Sequence, residues 1–399
     1  MNFEDYFKYT ALQSEIIQHT QHGKDGLASL LSDFYNVSDQ NQLFSLDTIH
    51  KTLKHQRSCP DQEQCIVDEY IMEAFDELIF ERVSAPVTFD MSEYTMAVCV
   101  CLIDLLKQDP DWDRDQSRDA VTFVQKLFMS ESYSVYVYRK ALSINKYMIA
   151  MDINIEMIKD VINTTCTFLQ KCRHQMTLQD SSRIASEEYT EFFYTPFDNF
   201  TCDRECLKIA IQTIVDIFSY LAKTNQEDVV EKESYWIELI QGIKVLYQEN
   251  KSTFIQLLFN TCCVGDDDTV QLLTAILEIY QLLPVNSKDS SIRAMLETID
   301  INPHVLFLHF LHQCGNTHSI IVDLLLEDDS NFLLFFYSYI KYTLTDIQVL
   351  KTSLSKVQGI NVNTLHFIFT NTLRVIRGGA FPYNTKPLVN RLEQLLLCL

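Results

Sequence analysis

The stretch 201-TCDRECLKIAIQTIVDIFSYL-221 decides the fold class. Its apolar residues Ile209, Ile214, Ile217, Phe218 and Leu221 return at three- to five-residue steps, a spacing that lines one face of an α-helix and lacks the strict alternation of a strand. Thr201 and Asp203 stand just ahead of it as helix caps. The same period runs on in both directions, for example through Ile66, Tyr70, Phe75, Leu78, Ile79 and Val83. It breaks at Asp90 and Ser92, Asp109-Pro110, Thr195-Pro196, Gly265 to Asp268, Pro284, Pro303, Gly315, Gly359 and Gly378-Gly379. The pattern predicts about seventeen amphipathic helices joined by short polar loops.

Composition agrees. With eight glycines and eight prolines in 399 residues, the chain lacks the material for glycine-rich phosphate loops, hairpin turns or barrels, while 47% hydrophobic residues suffice for a large core. One bundle core stops growing well before this length, so the helices either split into domains or stack in pairs. No exact repeat of roughly 34 to 47 residues is present. The expectation is an all-α, armadillo/HEAT-like helical solenoid of divergent, right-handed repeats. Its expected organisation is an acidic helical array over 1–283, a continuing block over 292–345 and a cationic segment over 346–399. The polar run Pro284 to Ser291 is the candidate linker, and Lys356 to Asn361 a second joint.

No apolar run reaches the roughly 18 residues of a membrane span, since Ala97 to Ile103 ends at Asp104 and Phe332 to Ile340 ends at Lys341. Met1 to Asp5 lacks the basic and apolar parts of a secretory signal, so the chain reads as intracellular. Twelve scattered cysteines with no Cys-x-x-Cys fit reduced core thiols better than disulfides or a zinc ribbon.

The net charge of −22 disfavours nucleic-acid and membrane-surface binding by the whole molecule. The charge is uneven: residues 300–399 hold seven acids and seven bases, so the excess lies in 1–299. From Ile347 onward six bases face the single acid Glu393. This cationic end either docks on the acidic body or meets a partner.

Constellations with chemistry are few. Asp109 to Asp115 resembles a calcium loop, but Arg114 or Gln116 occupies the glycine position and Ala120 or Thr122 the bidentate glutamate position. It reads as an acidic loop with Asp115 or Ser117 as cap. His304, His309, His312 and His318, with Asp323, could be drawn as a zinc site. No zincin frame or cysteine pair supports that, and core or capping histidines are the simpler reading. No Gly-x-Ser-x-Gly elbow occurs, and the carboxylates Glu187-Glu188, Asp266 to Asp268 and Asp328-Asp329 sit where loops or helix dipoles explain them. Methionines and aromatics such as Tyr133, Tyr136 and Tyr138 fit packing. No catalytic residue, cofactor or metal ligand is assigned.

The last hundred residues are more specific. Leu306 to Leu311, Gly315, His318, Val322 to Leu325, Asp329 to Leu333 and Tyr339-Ile340-Lys341 form one block. Arg374-Val375 and Phe381-Pro382-Tyr383-Asn384 followed by Pro387-Leu388 form another. In kind and order they resemble the Lines family over about residues 303–399, with Thr317 where an aspartate is usual and Asp329-Ser330 in place of Glu-Thr. Physically, Phe381 to Asn384 is a rigid turn: Pro382 fixes its own φ and pushes Phe381 to extended geometry. Asn384 or Thr385 then caps a helix that tolerates Pro387 in its first turn. Its two aromatics either bury a helix corner or touch a partner. The resemblance implies a non-enzymatic regulator in Wnt-linked developmental signalling, present in nucleus and cytoplasm, that binds zinc-finger transcription factors. The alternative is a helical adaptor of transport or ubiquitin pathways outside that family. The surface expected to meet a protein partner comprises Arg374, Arg377, Phe381, Tyr383, Lys386 and Arg391.

Overall fold

The structure, a computed structural model, describes residues 3–22, 31–35, 42–58, 69–84, 92–108, 114–129, 134–151, 155–172, 204–224, 254–263, 265–283, 291–299, 301–327, 331–379 and 381–399. Within these residues the protein is all-helical, with no strand. The helices are α1 (Phe3–His22), α2 (Gln42–Ser58), α3 (Glu69–Ser84), α4 (Ser92–Gln108), α5 (Arg114–Met129), α6 (Val135–Ala150), α7 (Ile155–Cys172) and α8 (Arg204–Thr224). They continue as α9 (Phe254–Cys262), α10 (Asp266–Leu282), α11 (Ser291–Thr298), α12 (Pro303–Gln313), α13 (Ser319–Leu326), α14 (Phe332–Thr345), α15 (Ile347–Ser353), α16 (Val362–Arg377) and α17 (Lys386–Cys398). None of these helices is long and apolar enough to cross a membrane. The described glycines 265, 315, 359, 378 and 379 all lie between helices, where their freedom is useful and their low helix propensity costs nothing.

The chain forms two compact units, Met1–Thr213 and Ile214–Leu399, and α8 crosses the boundary. In the first unit the packing alternates: α2 packs on α4 and α4 on α6, while α3 packs on α5 and α5 on α7. Cross-contacts of α3 with α4 and of α5 with α6 join the two rows. This happens because each helix buries one apolar stripe on both the next helix and the next but one. Phe128 shows the result, with its ring 5.7 Å from Tyr138 of α6 and 5.5 Å from Phe168 of α7. Fully burying a phenylalanine contributes about 1.5–3 kcal/mol, so such junctions carry much of the cohesion.

The second unit is centred on an aromatic cluster. Phe307 of α12 meets Phe335, Phe336 and Tyr339 of α14, and Phe336 lies 6.2 Å from Phe369 of α16. Around it α13 packs on α14 and α16, while α17 packs on α14 and α16. Helix ends are closed locally. Asn302 accepts a hydrogen bond from the Val305 amide at 2.9 Å, with Pro303 in the first turn of α12. At its other end Gly315 and Asn316 take positive φ, and the Asn316 amide donates to the Leu311 carbonyl at 2.8 Å.

The sequence-based capping assignment for α5 changes. Helix α5 already begins at Arg114, so Asp115 lies inside its first turn, where it faces the positive dipole end, and Ser117 is buried within the helix. Gly265 is the N-cap of α10, and Asp266, Asp267 and Asp268 form its first turn, at the positive dipole end. The predicted linker Pro284–Ser290, the loop Asp109–Asp113, Tyr133, Glu187-Glu188 and Asp328-Asp329 lie outside the described residues.

Candidate functional site

The cationic end is built from α16, the following turn and α17. Helix α16 starts at Asn361, whose carboxamide oxygen accepts from the Thr364 amide at 3.0 Å. It buries Leu365, Ile368, Phe369, Leu373 and Ile376 and leaves Arg374 and Arg377 exposed. The Gly378 and Gly379 amides bond back to the Val375 and Ile376 carbonyls, and Gly379 takes φ 82° to turn the chain.

Phe381 and Tyr383 are both half-buried, their rings 5.7 Å apart. The Tyr383 hydroxyl donates to the Leu325 carbonyl at 2.9 Å, closing one of the open acceptors at the end of α13. Burial pushes its phenol up to about 12, which keeps it a donor. Asn384, rather than Thr385, supplies the cap oxygen of α17, accepting from the Lys386 amide at 3.2 Å, and Pro387 sits in the first turn. Tyr383 is therefore a helix-corner anchor.

The four cations are used differently. Arg377 is ion-paired with Glu393, the lone acid of this end. Arg391 is half-buried and donates to Gln394 at 3.2 Å. Arg374 and Lys386 are exposed and have no acidic partner among the described residues. Between them the site keeps two uncompensated charges pointing to water. It also has an apolar residue that sequence reasoning passed over: Phe367 on α16 is 62% exposed. Phe367 was legible in principle, because it falls seven residues before Arg374, hence on one helix face.

The four histidines do not come together. His304 is buried, its Nδ1 3.2 Å from the Tyr339 hydroxyl and its ring stacked 5.4 Å from Tyr342. Burial pulls it down to about 4, with Asp346 opposing weakly. His309 lies against Phe259 and within 3.3 Å of Gln313, and burial lowers its basicity as well. His312 covers Gly359. His318 precedes α13, where the Thr317 hydroxyl accepts from the Ser319 amide. Among the described residues no group of three or more His, Cys, Asp or Glu is placed to hold a metal ion. Cys99, Cys101, Cys166, Cys206 and Cys262 are buried thiols, and burial pushes Cys99 up to about 12.

A second charged cluster was not anticipated. Asp104 on α4 is 4% exposed and receives His50 Nδ1 at 2.6 Å and the Arg57 guanidinium, both from α2. Burial alone would raise its carboxyl; the hydrogen bonds from His50 and Arg57 outweigh that and leave it lowered. The cluster ties α2 to α4.

The fold and this end together define an all-helical protein of two compact units with an acid-poor surface near the end of the second. The family model described as Lines N-terminus matches residues 206–350, and over that segment the chain is similar to the Lines family. The match begins about a hundred residues upstream of the blocks that carry the resemblance in the sequence, and it stops before α16 and α17. No curated protein and no solved structure matches the chain.

Proposed function

We propose that this chain is a Lines-type regulator that works without catalysis, as a protein-interaction scaffold in Wnt-linked developmental signalling and transcriptional control. Its helices act as a divergent armadillo/HEAT-like array, a reading supported by the two alternating rows α2–α4–α6 and α3–α5–α7. The observation that carries the family part is the match over residues 206–350. The partner, a protein such as a zinc-finger transcription factor, meets the end that carries Arg374, Arg377, Phe381, Tyr383, Lys386 and Arg391. Within that set the exposed cations steer and select, while Tyr383 holds the corner in shape. The protein acts in cytoplasm and nucleus and needs no cofactor.

Affinity purification with mass spectrometry tests this. The intact chain is compared with one carrying charge reversals at Arg374, Arg377, Lys386 and Arg391, after equal helicity is checked by circular dichroism. Recovery of transcriptional or Wnt-pathway proteins, lost on charge reversal, is expected. Recovery of unrelated transport or ubiquitin-pathway proteins would contradict the Lines-type role, and persistence of the same partners would move the interface elsewhere.

A further inference from the structure

Helix α16 contains no acidic residue, and over residues 362–398 the four bases Arg374, Arg377, Lys386 and Arg391 face only Glu393. Glu393 is already engaged by Arg377. On α16 the buried residues Leu365, Ile368, Phe369, Thr372, Leu373 and Ile376 fill one side. The opposite side is centred on Asn363, Phe367, Asn371 and Arg374, which stand four, four and three residues apart and form one ridge. A phenylalanine 62% exposed at the middle of such a ridge leaves most of its apolar surface in water. An arginine and a large aromatic flanked by asparagines is also the composition of interface centres, which are poor in lysine and glutamate.

We propose that the outer face of α16, continued by Lys386 of α17, is a docking strip for an acidic amphipathic helix of a partner protein. This inference rests on the reading of this end as a partner surface and adds the partner's chemistry and its anchor. Charge complementarity selects the occupant: with Glu393 consumed, the strip offers a guanidinium and an ammonium with no acid of its own, so an acidic segment gains and a basic one is repelled. Helix α13, which also packs on α16, brings the exposed Asp323, so the acid-poor strip is confined to α16 and α17. Phe367 and Arg374 lie about 10.5 Å apart along the axis, two helical turns. A partner helix laid along the ridge therefore sets an apolar residue against Phe367 and a carboxylate about two turns away against Arg374.

The test is fluorescence anisotropy with the full chain and a labelled sixteen-residue amphipathic peptide of leucine, glutamate and alanine. A peptide of the same composition with its leucines distributed around the helix, and one with lysine for glutamate, serve as controls. The acidic amphipathic peptide is expected to bind, to weaken with added salt, and to bind at least about tenfold more weakly to Phe367→Ala and to Arg374→Glu. Both side chains are exposed, so the variants keep the fold, which circular dichroism verifies. Equal binding of the redistributed or lysine peptide, or binding indifferent to Phe367→Ala, overturns the proposal. Concentration-dependent self-association lost in Phe367→Ala would assign the strip to a second copy and overturn it too. If charge reversal abolishes partner recovery while Phe367→Ala changes neither recovery nor peptide binding, the scaffold reading stands and this inference alone fails.

Discussion

Asp104 illustrates how far a single residue can be misread from its neighbours. In the sequence it closes the apolar run Ala97 to Ile103 and so looks like the point where α4 meets water. In the fold it is buried against His50 and Arg57, which lie 54 and 47 residues upstream and leave no trace in local pattern. Replacing it by asparagine leaves Arg57 short of its counter-charge and weakens the bond to His50, and is expected to cost about 2 kcal/mol, below the usual cost of breaking a buried pair because His50 and Arg57 are partly solvated. Because the folded carboxyl is lowered, its contribution is present above the ordinary aspartate range and lost as pH falls through the folded value. Urea unfolding should therefore show the Asp104→Asn deficit at neutral pH and its narrowing below about pH 4. His304 has the opposite chemistry and the same pH direction. Its neutral ring is favoured in the fold and protonates at about 4 instead of 6.5, so stability is full above 6.5 and falls as pH drops towards 4. The loss is of order 3 kcal/mol. A His304→Phe variant should lose stability at neutral pH, since the Tyr339 hydroxyl loses its hydrogen bond to the ring, but should show a flatter dependence between pH 6.5 and 4.

At the scale of elements, the helical period and the glycine and proline breaks were legible because both act locally. Pro303 with Asn302, Gly315 and Gly378-Gly379 all mark real helix ends. The aromatic turn was legible as well: Pro382 and Asn384 specify its geometry whatever lies around them. What Tyr383 bonds to was not, because Leu325 is 58 residues away. The Gly359 joint combines both kinds of information. Its φ of 84° is a local demand for glycine, while the close approach of His312 is tertiary: an added Cβ would lie 2.7 Å from His312 Cε1. Gly359→Ala should thus destabilise by about 1–3 kcal/mol through strained φ plus the clash. In a His312→Ala background the clash disappears and the φ strain remains, so thermal denaturation of the double variant should show part of the loss restored. Full restoration would mean the φ strain costs nothing.

For the whole molecule, the sequence carried the all-helical class, since described helices throughout and no described strand follow from period and composition. The Lines resemblance was read from the last hundred residues, of which the family match reaches only those up to 350; the match starts at residue 206, where amphipathic helices look like those of any helical protein. Four of the six residues chosen for the candidate surface came from counting charges, and charge counting cannot tell Arg374, which faces water, from Arg377, which Glu393 holds. It also cannot find Phe367, which carries no charge. The proposed function stands or falls with a partner sitting on the α16–α17 surface. Site-specific photo-crosslinking in cells tests this most directly, with Phe367→benzoylphenylalanine compared with the same replacement at Met129, an equally exposed apolar residue at the end of α5. A discrete crosslinked protein is expected from position 367, lost on adding Arg374→Glu, and none from position 129. Crosslinks of equal yield at both positions, or at 129 alone, would contradict the proposal.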